Sequence, residues 1–287
     1  MDQVALVSRF PGEDDEVFVP CLELRPGGSA ANFAVFCSRL GGKAGFVGKV
    51  GRDNFGDVLI SDLVSEGVDT NGVVRSDLPT GTVFIAVRSD GQRMMFACSG
   101  AANDLHESDI SPHYLNRFDH LHLADLNNIA VLKHAASLFE GSVSLNPGAL
   151  IADKGKEALD LIKEVDILIC SKNEARKLTG EKSIENCLQT LTDMGPETAV
   201  VTCGPEPPLA MSREGATVTA QTHDIKIVDT TGAGDSFSAG FVSEFLRSRD
   251  MGQALRFGVA TAEIVIQHRG ARAGLKNRKQ VERVLPA

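Results

Sequence analysis

The chain has 287 residues, of which 43% are hydrophobic, and this length suits one large domain with an extensive buried core. Its net charge of -9 argues against nucleic acid or an anionic membrane as the main partner, although local donors can still bind an anionic substrate. The chain has no Trp, six scattered Cys residues and no apolar stretch near the roughly 20 residues that a membrane helix needs. We therefore expect a cytoplasmic protein without a membrane or nucleic-acid partner.

The first hundred residues combine short strands with two helices. At most a short strand is predicted over residues 1–7. A helix is predicted to follow residues 29–32 and to run through Leu40, where the glycine pair at 41–42 ends it. The remaining predicted elements are an extended segment at 16–24, strands at 44–50, 73–74, 82–87 and 93–98, and a helix at 54–66. A tight turn at 89–92 joins the last two strands into a hairpin.

From residue 118 onward, strands and helices alternate. Strands are predicted at 121–123, 143–145, 166–170 and 199–202, and helices at 128–139, 154–164, 173–178, 184–194, 251–267 and 278–284. Residues 217–228 predict a further strand or strand pair. Strands joined by helices indicate an α/β fold, a doubly wound and mostly parallel sheet with helices on both faces.

Two extended segments, 16–24 and 82–98, lack intervening helices and do not thread easily into a parallel sheet. We predict that they pair as a small β-sheet lid, formed by about 14–25 and 81–98, on a single domain that spans 1–287. The strand pattern alone is equally compatible with ordinary edge hairpins.

A glycine-rich turn at 229–240 separates a predicted strand from a predicted helix. Gly232 and Gly234 allow a tight bend and close approach of the backbone, and the first N–H groups of the helix favour an anion. Asp235 lies at that same helix end. An acidic residue there can simply stabilise the first turn, but the Gly-Ala-Gly run favours a carboxylate that acts as a base beside a bound phosphate.

A second glycine-rich turn lies early in the chain, at 27–32. It offers small residues and the amide of Asn32, whose donors and acceptor suit a polyol hydroxyl. Taken alone, the turn is explained by a capped helix start. Together, the two turns predict a crevice with a neutral polar end and an anion end, as a hydroxyl acceptor and a phosphate donor require. The chain contains neither a Walker A motif nor an early GxGxxG fingerprint.

The two turns resemble, in order and spacing, the two signatures of the ribokinase or PfkB family of carbohydrate kinases. The first signature is similar to residues 27–34 followed by Gly41 and Gly51, and the second to residues 229–242. The resemblance implies a ribokinase-like fold and an ATP-dependent phosphotransferase that phosphorylates a hydroxyl of a small sugar or sugar-like alcohol, with Mg²⁺. A nucleoside kinase on the same scaffold, and a non-catalytic sugar or nucleotide sensor, are the alternatives.

The resemblance also implies roles for individual residues. Asp235 matches the general base, and the residues that match the anion hole are Gly232, Ala233 and Gly234. Gly28 and Asn32 match sugar contacts, while Thr202 and Gly204 match the nucleotide side. Glu174 matches an acidic residue near Mg²⁺, which we expect it to hold through water. A monovalent cation is implied near Asp229 and Thr231.

The chain departs from the family pattern at several positions. Asp2 falls where a sugar-binding Asp follows a first strand, so either the chain starts downstream of its natural start or the fold tolerates the loss of a strand. Ser171 replaces an Asn near the phosphates, and Val259 replaces an Asn near the adenine. Arg93, in the predicted lid, is a candidate substrate contact. Exposed lid edges favour a homodimer, and the identity of the acceptor cannot be read from the sequence.

Overall fold

The computed structural model describes residues 1–88, 92–124 and 126–285, and the side chain of Leu150 is not described. The predicted turn at 89–92 falls on residues 89–91, outside the described residues. The strands are β1 Asp2–Val7, β2 Leu22–Arg25, β3 Gly45–Gly51, β4 Asp69–Ser76, β5 Thr82–Arg88, β6 Arg93–Cys98, β7 His120–Ala124, β8 Ser142–Asn146, β9 Ile167–Ser171, β10 Thr198–Cys203, β11 Glu206–Ser212 and β12 Thr217–Thr219.

The helices follow the predicted rhythm closely. They are α1 Ser29–Arg39, α2 Asn54–Ser65, α3 Pro112–Leu115, α4 Ile129–Leu138, α5 Gly148–Ala152, α6 Lys156–Ile162, α7 Lys172–Thr179, α8 Ile184–Met194, α9 Ala233–Ser248, α10 Met251–Ile266 and α11 Arg278–Glu282. The short helices α3 and α5 were not predicted, because one or two turns carry no helical periodicity. Among the described residues, no helix combines the length and apolar character needed to cross a membrane.

The main sheet has six strands in the order β12-β11-β10-β9-β8-β7, in which β7 to β10 run parallel. Its two faces carry separate apolar cores. One core contains residues of α4, α6, α7 and α8, and the other contains residues of α1, α9 and α10. The predicted α/β fold, with a mostly parallel sheet between helices, is confirmed.

A separate small sheet, in the order β2-β1-β5-β6, confirms the prediction of a second β element. Two details differ. The strand β1 belongs to this sheet, pairing parallel with β5 and antiparallel with β2, and β2 begins only at Leu22. The amino terminus anchors this arrangement, because the Met1 ammonium donates to the Gly81 carbonyl oxygen at 2.8 Å.

The strand β11 was not predicted, because its second and third residues are prolines. Pro207 and Pro208 lie where the register between β10 and β11 shifts, between Val201 and Cys203, and the lost N–H groups break no regular ladder there. The predicted strand or strand pair at 217–228 is wrong beyond Thr219, since only β12 forms.

The main sheet is interrupted beside β7. Within the described residues, β7 pairs only with β8, β3 pairs only with β4, and no ladder joins β3 to β7. A cavity of about 1230 Å³ lies there, lined by residues of β3, β7 and α1 among others. Helix α1 bridges this gap by contacting both β3 and β7.

Candidate active site

The second glycine turn leads directly into α9. Gly232 has a φ of 79°, and a Cβ there would lie 2.2 Å from the carbonyl oxygen of Ala271. Only glycine fits both the left-handed backbone and the close approach. The turn places Asp235 in the first turn of α9, at the positive end of the helix dipole.

The first glycine turn leads into α1 in the same way. Gly28 has a φ of 97° and precedes Ser29, the first residue of the helix. Because α1 packs against α9, the amide of Asn32, which is only 4% exposed, meets the second turn. Its Nδ2 donates to Oδ2 of Asp235 over 2.7 Å, and this contact joins the two turns across 203 positions of sequence.

Asp235 has an unusual pKa for a carboxyl group. Burial raises its pKa to about 6, although hydrogen bonds from Asn32 and Ser29 and the positive charge of Arg272 act in the opposite direction. A carboxylate of this kind is ionised at neutral pH and still accepts a proton readily. That property suits a general base.

Asp2 lies beside the first turn, where the resemblance implied a sugar contact. A Cβ on Gly27 would lie 2.4 Å from Oδ2 of Asp2, so glycine lets the carboxylate approach the backbone. Burial raises the pKa of Asp2, while the amino terminus, Arg272 and Arg25 act in the opposite direction. Residue 2 is thus held in β1, beside the first glycine turn.

The candidate anion hole has two free donors. The N–H of Ala233 donates to the Thr230 carbonyl oxygen over 3.2 Å, but within the described residues the N–H groups of Gly234 and Asp235 have no protein acceptor. Such groups at a helix N-terminus bind anions well. Of the three residues predicted here, Gly232 shapes the turn and Gly234 offers a donor.

Asp229 and Thr231 form a compact turn that the small sheet contacts. Oδ1 of Asp229 accepts from the Thr231 N–H at 3.0 Å and from its hydroxyl at 2.7 Å, and Oδ2 accepts from the Gly270 N–H at 2.9 Å. Burial alone would raise the pKa of Asp229, but these bonds and the charge of Arg93 lower it overall.

Arg93 reaches this turn from β6. It donates to the hydroxyl groups of Thr231 at 3.0 Å and Thr230 at 2.9 Å. Its guanidinium lies 3.9 Å from Asp229, as does that of Arg25 from β2. Two arginines of the small sheet therefore contact the turn that precedes the candidate anion hole.

Ser171 and Glu174 cap helix α7. The Ser171 hydroxyl accepts from the Glu174 N–H at 3.3 Å, and Oε2 of Glu174 accepts from the Ser171 N–H at 2.8 Å. This is a capping box, and the sequence Ser-Lys-Asn-Glu at 171–174 is a motif that predicts one. The resemblance to the family drew attention to phosphate and Mg²⁺ at these positions instead.

The other nucleotide-side candidates fall into two groups. Thr202 lies directly opposite Ser171 at the carboxyl ends of β10 and β9, and Gly204 follows with a φ of 66°. Val259 is 6% exposed and packs in the core around α9 and α10. The strand ends thus converge on one edge of the sheet, whereas Val259 has a packing role.

Two polar residues near the site were missed. Asn146 ends β8 and donates to the Ser238 hydroxyl at 3.2 Å, and its Nδ2 would lie 3.8 Å from a Cβ on Gly234. Arg272 donates from Nε to Oδ1 of Asn32 at 2.7 Å. A polar residue at the end of a predicted parallel strand could have identified Asn146, but Arg272 lies in a loop without periodicity.

The family comparison matches nearly the whole chain: the pfkB family of carbohydrate kinases matches residues 1–278. An uncharacterized sugar kinase of Archaeoglobus fulgidus is 32% identical, over 83% of this chain and 97% of that protein. A nucleoside kinase of Methanothermobacter thermautotrophicus is 28% identical, over 96% of this chain and 89% of that protein.

Solved structures match equally broadly. The ribokinase of Thermotoga maritima superimposes with a TM-score of 0.89 at 27% identity, covering 98% of this chain and 95% of that one. An Arabidopsis thaliana ribokinase, complexed with ribose and ATP, gives a TM-score of 0.86 at 26% identity, with 98% and 94% of the two chains covered.

Proposed function

The chain belongs to the pfkB family of carbohydrate kinases, and on that premise we propose that it transfers the terminal phosphoryl group of ATP to a hydroxyl of a small sugar or sugar-like alcohol. The observation that carries this proposal is the contact between Asn32 and Asp235 where the two glycine turns meet. It joins an amide suited to a hydroxyl acceptor with a carboxylate suited to proton removal.

Asp235 is the general base of the proposed reaction. It accepts the proton of the acceptor hydroxyl as the oxygen bonds to phosphorus. Its pKa, although raised to about 6, still lies below neutral pH, so the carboxylate is ionised there. Asn32, Gly28 and Asp2 hold the acceptor. Arg93 is the contact from the small sheet, and its position beside Thr230 and Thr231 supports a role near the transferring group.

The anion hole is formed by the turn from Gly232 to Gly234. Its free donors are the N–H groups of Gly234 and Asp235, which stabilise negative charge on the transferring phosphoryl group. The Asp235 carboxylate and these donors belong to the N-terminal end of α9, so the base and the anion hole are positioned together. The small sheet covers the site as a lid and limits competition by water.

The nucleotide side is the edge at the carboxyl ends of β9 and β10. Thr202, Ser171 and Gly204 line it, and Val259 supports it from the core. Parallel sheets commonly bind nucleotides at this edge. The Arabidopsis ribokinase that contains ATP supports the same class of donor for this chain.

Mg²⁺ fits this edge through water. Among the described residues, no group of three or more His, Cys, Asp or Glu side chains could hold a metal ion. Mg²⁺ in kinases usually keeps several waters and contacts one or two carboxylates and the substrate phosphates, and Glu174 offers such a carboxylate. When bound, the ion neutralises charge on the triphosphate.

A monovalent cation beside Asp229 and Thr231 fits less well. The Asp229 carboxylate already accepts three hydrogen bonds and lies within 3.9 Å of both Arg25 and Arg93. Two positive guanidinium groups repel a further cation. We therefore leave this cation out of the proposed reaction.

A homodimer through the small sheet completes the proposal. All six residues of the edge strand β6 are exposed, including Met95 at 62% and Phe96 at 61%. Exposed edge strands with apolar side chains favour pairing with a second copy.

Phosphoryl transfer from ATP with Mg²⁺ tests the function, over a panel of pentoses, hexoses, sugar acids and nucleosides. We expect turnover on a sugar acceptor, and Asp235→Asn should lower it at least about a hundredfold because the base is lost. Turnover confined to nucleosides would favour a nucleoside kinase, for which the exposed Phe18, Phe84 and Phe96 are candidate stacking partners. Saturable ligand binding without turnover would favour a sensor.

A further inference from the structure

Arg272 occupies a position behind the proposed base that the proposed function does not use. Its side chain is 9% exposed and donates from Nε to Oδ1 of Asn32 over 2.7 Å. It also contacts Asp62 of α2 through Nη1, and its Nη2 lies 3.5 Å from the Gly27 carbonyl oxygen. Asp62, Arg272, Asn32 and Asp235 thus form one line of hydrogen bonds that crosses from α2 to α9.

The loop that carries Arg272 is held in place by a second ion pair. Arg39 of α1 donates to the carbonyl oxygens of Arg272 and Leu275, the latter at 2.9 Å. Arg39 is itself bound by both carboxylate oxygens of Glu66. The backbone of Arg272 is thus fixed from α1, and its buried side chain is held by the ion pair with Asp62, so it has little freedom to leave Asn32.

Arginine only donates hydrogen bonds, and this determines the orientation of the Asn32 amide. With Oδ1 turned towards Arg272, the Asn32 NH2 group must face Asp235. A donor stabilises the ionised carboxylate, whereas the amide oxygen would stabilise the protonated acid. The reversed amide would also place its NH2 group against the donors of Arg272.

We propose that Arg272 is a positioning residue: it locks the Asn32 amide so that Asp235 is held as the ionised base, and Asp62 limits how much positive charge reaches the site. This inference rests on the proposed function for its catalytic meaning. The hydrogen-bond line itself is independent of any reaction.

The charged groups around Asp235 determine in which direction its pKa should change when Arg272 is removed. Arg272 lowers the pKa of Asp235 and Asp2 raises it, while Asn32 and Ser29 donate hydrogen bonds to it. Around Arg272 lie Asp62, Glu66 and Arg39, and near Asp2 lie the amino terminus and Arg25. Removing Arg272 therefore raises the Asp235 pKa both by losing a positive charge and by freeing the amide.

Substitutions at Arg272 and at Asp62 should shift the Asp235 pKa in opposite directions. Arg272→Met should raise the apparent pKa of Asp235 by about half a unit to one unit, because a nearby cation and a fixed donor are both lost. Asp62→Asn should lower it, since the charge of Arg272 is then less neutralised. Arg272→Lys keeps the charge but not the fork of donors, and it should recover only part of the shift.

Carbon-13 NMR of Asp-labelled protein measures this pKa without turnover, with Asp235→Asn identifying the signal. Lys163→Gln is the matched control, because it removes a cation from an exposed pair with Asp160 and should leave the signal unchanged. The acid limb of kcat/KM against pH is the second readout, and it should move with the NMR value in each variant.

An unchanged Asp235 pKa in folded Arg272→Met overturns the inference. If that variant does not fold, Asp62→Asn decides, and a raised or unchanged pKa there overturns the inference as well. Opposite NMR shifts in a protein without turnover would retain the positioning role and reject the proposed function. Turnover lost in Asp235→Asn, with no shift in either variant, would retain the function and reject the positioning role.

Discussion

The six-stranded sheet and the β3–β4 pair differ in how they are held together. Strand β9 pairs with neighbours on both sides, and its first four residues are buried. In the part of the chain that the structure describes, strand β3 pairs on one side only, and it faces a cavity of about 1230 Å³ on the other. The first region is stabilised by ladders and tight packing, and the second depends on helix α1, which crosses the gap.

This difference shows that helix packing, more than sheet continuity, positions the candidate site. Asn32 lies on α1 and Asp235 on α9, and these two helices pack directly against each other. The line from Asp62 through Arg272 adds α2 to the same assembly. The gap can therefore lower the local stability of β3 and β7 while the hydrogen bond between Asn32 and Asp235 is maintained.

The largest expected effect is on pH-dependent stability at β7, the strand beside the gap. Burial lowers the pKa of His120 to about 4 and that of His122 well below its usual value. Both imidazoles contact the Ser144 hydroxyl at 2.7 Å and stay neutral in the folded protein. As the pH falls from about 6.5 towards 4, these imidazoles become protonated in the unfolded chain but stay neutral in the folded chain, so the free energy of unfolding decreases.

For His120 alone, this loss amounts to about 3 kcal/mol once the pH is below 4. Urea unfolding between pH 7.5 and 4.5 measures most of this loss. His120→Asn should make the pH dependence shallower because its amide does not titrate, while His122 keeps its own contribution. A variant curve parallel to that of the natural protein would contradict the role of His120.

A matched pair of truncations tests the two regions directly. Val200 of β10 is fully buried, and Val50 of β3 is 8% exposed and lines the cavity. Val200→Ala should cost about 2–3 kcal/mol, because methyl groups are lost and a new void opens. Val50→Ala should cost about 1 kcal/mol, since part of its surface already faces empty space. Equal losses in chemical unfolding would show that the gap is closed in solution.

The contrast also explains what could be predicted from the sequence. After residue 118, buried strands are indicated by continuous apolar runs such as Ile167–Ile169, separated by helical patterns. The main sheet agrees with that prediction. The position of Asp235 at the start of α9 was predictable because the Gly-Ala-Gly turn indicates the N-terminus of a helix. The local hydrophobic pattern predicts an element well where that element buries its own row of apolar side chains.

The features that could not be predicted depend on partners that are distant in sequence. Strand β1 was expected to be a short strand at most, yet its pairing with β5 makes it a central strand of the small sheet. Arg272 gave no signal because its partners Asn32 and Asp62 lie more than 200 positions away. Ser171 and Glu174 carried a capping signal that the functional interpretation obscured.

The smallest expected effect comes from adding a methylene at the same two positions. Val50→Ile should stabilise the protein by about 0.5–1 kcal/mol, because the added group enters the cavity without displacing neighbours. Val200→Ile should destabilise it by about 1 kcal/mol or more, since β10 lies in a closely packed core. The two substitutions are chemically identical, so their opposite signs would isolate packing as the cause. Chemical unfolding measures both, and destabilisation by Val50→Ile would mean that the β3 side of the gap is already filled in solution.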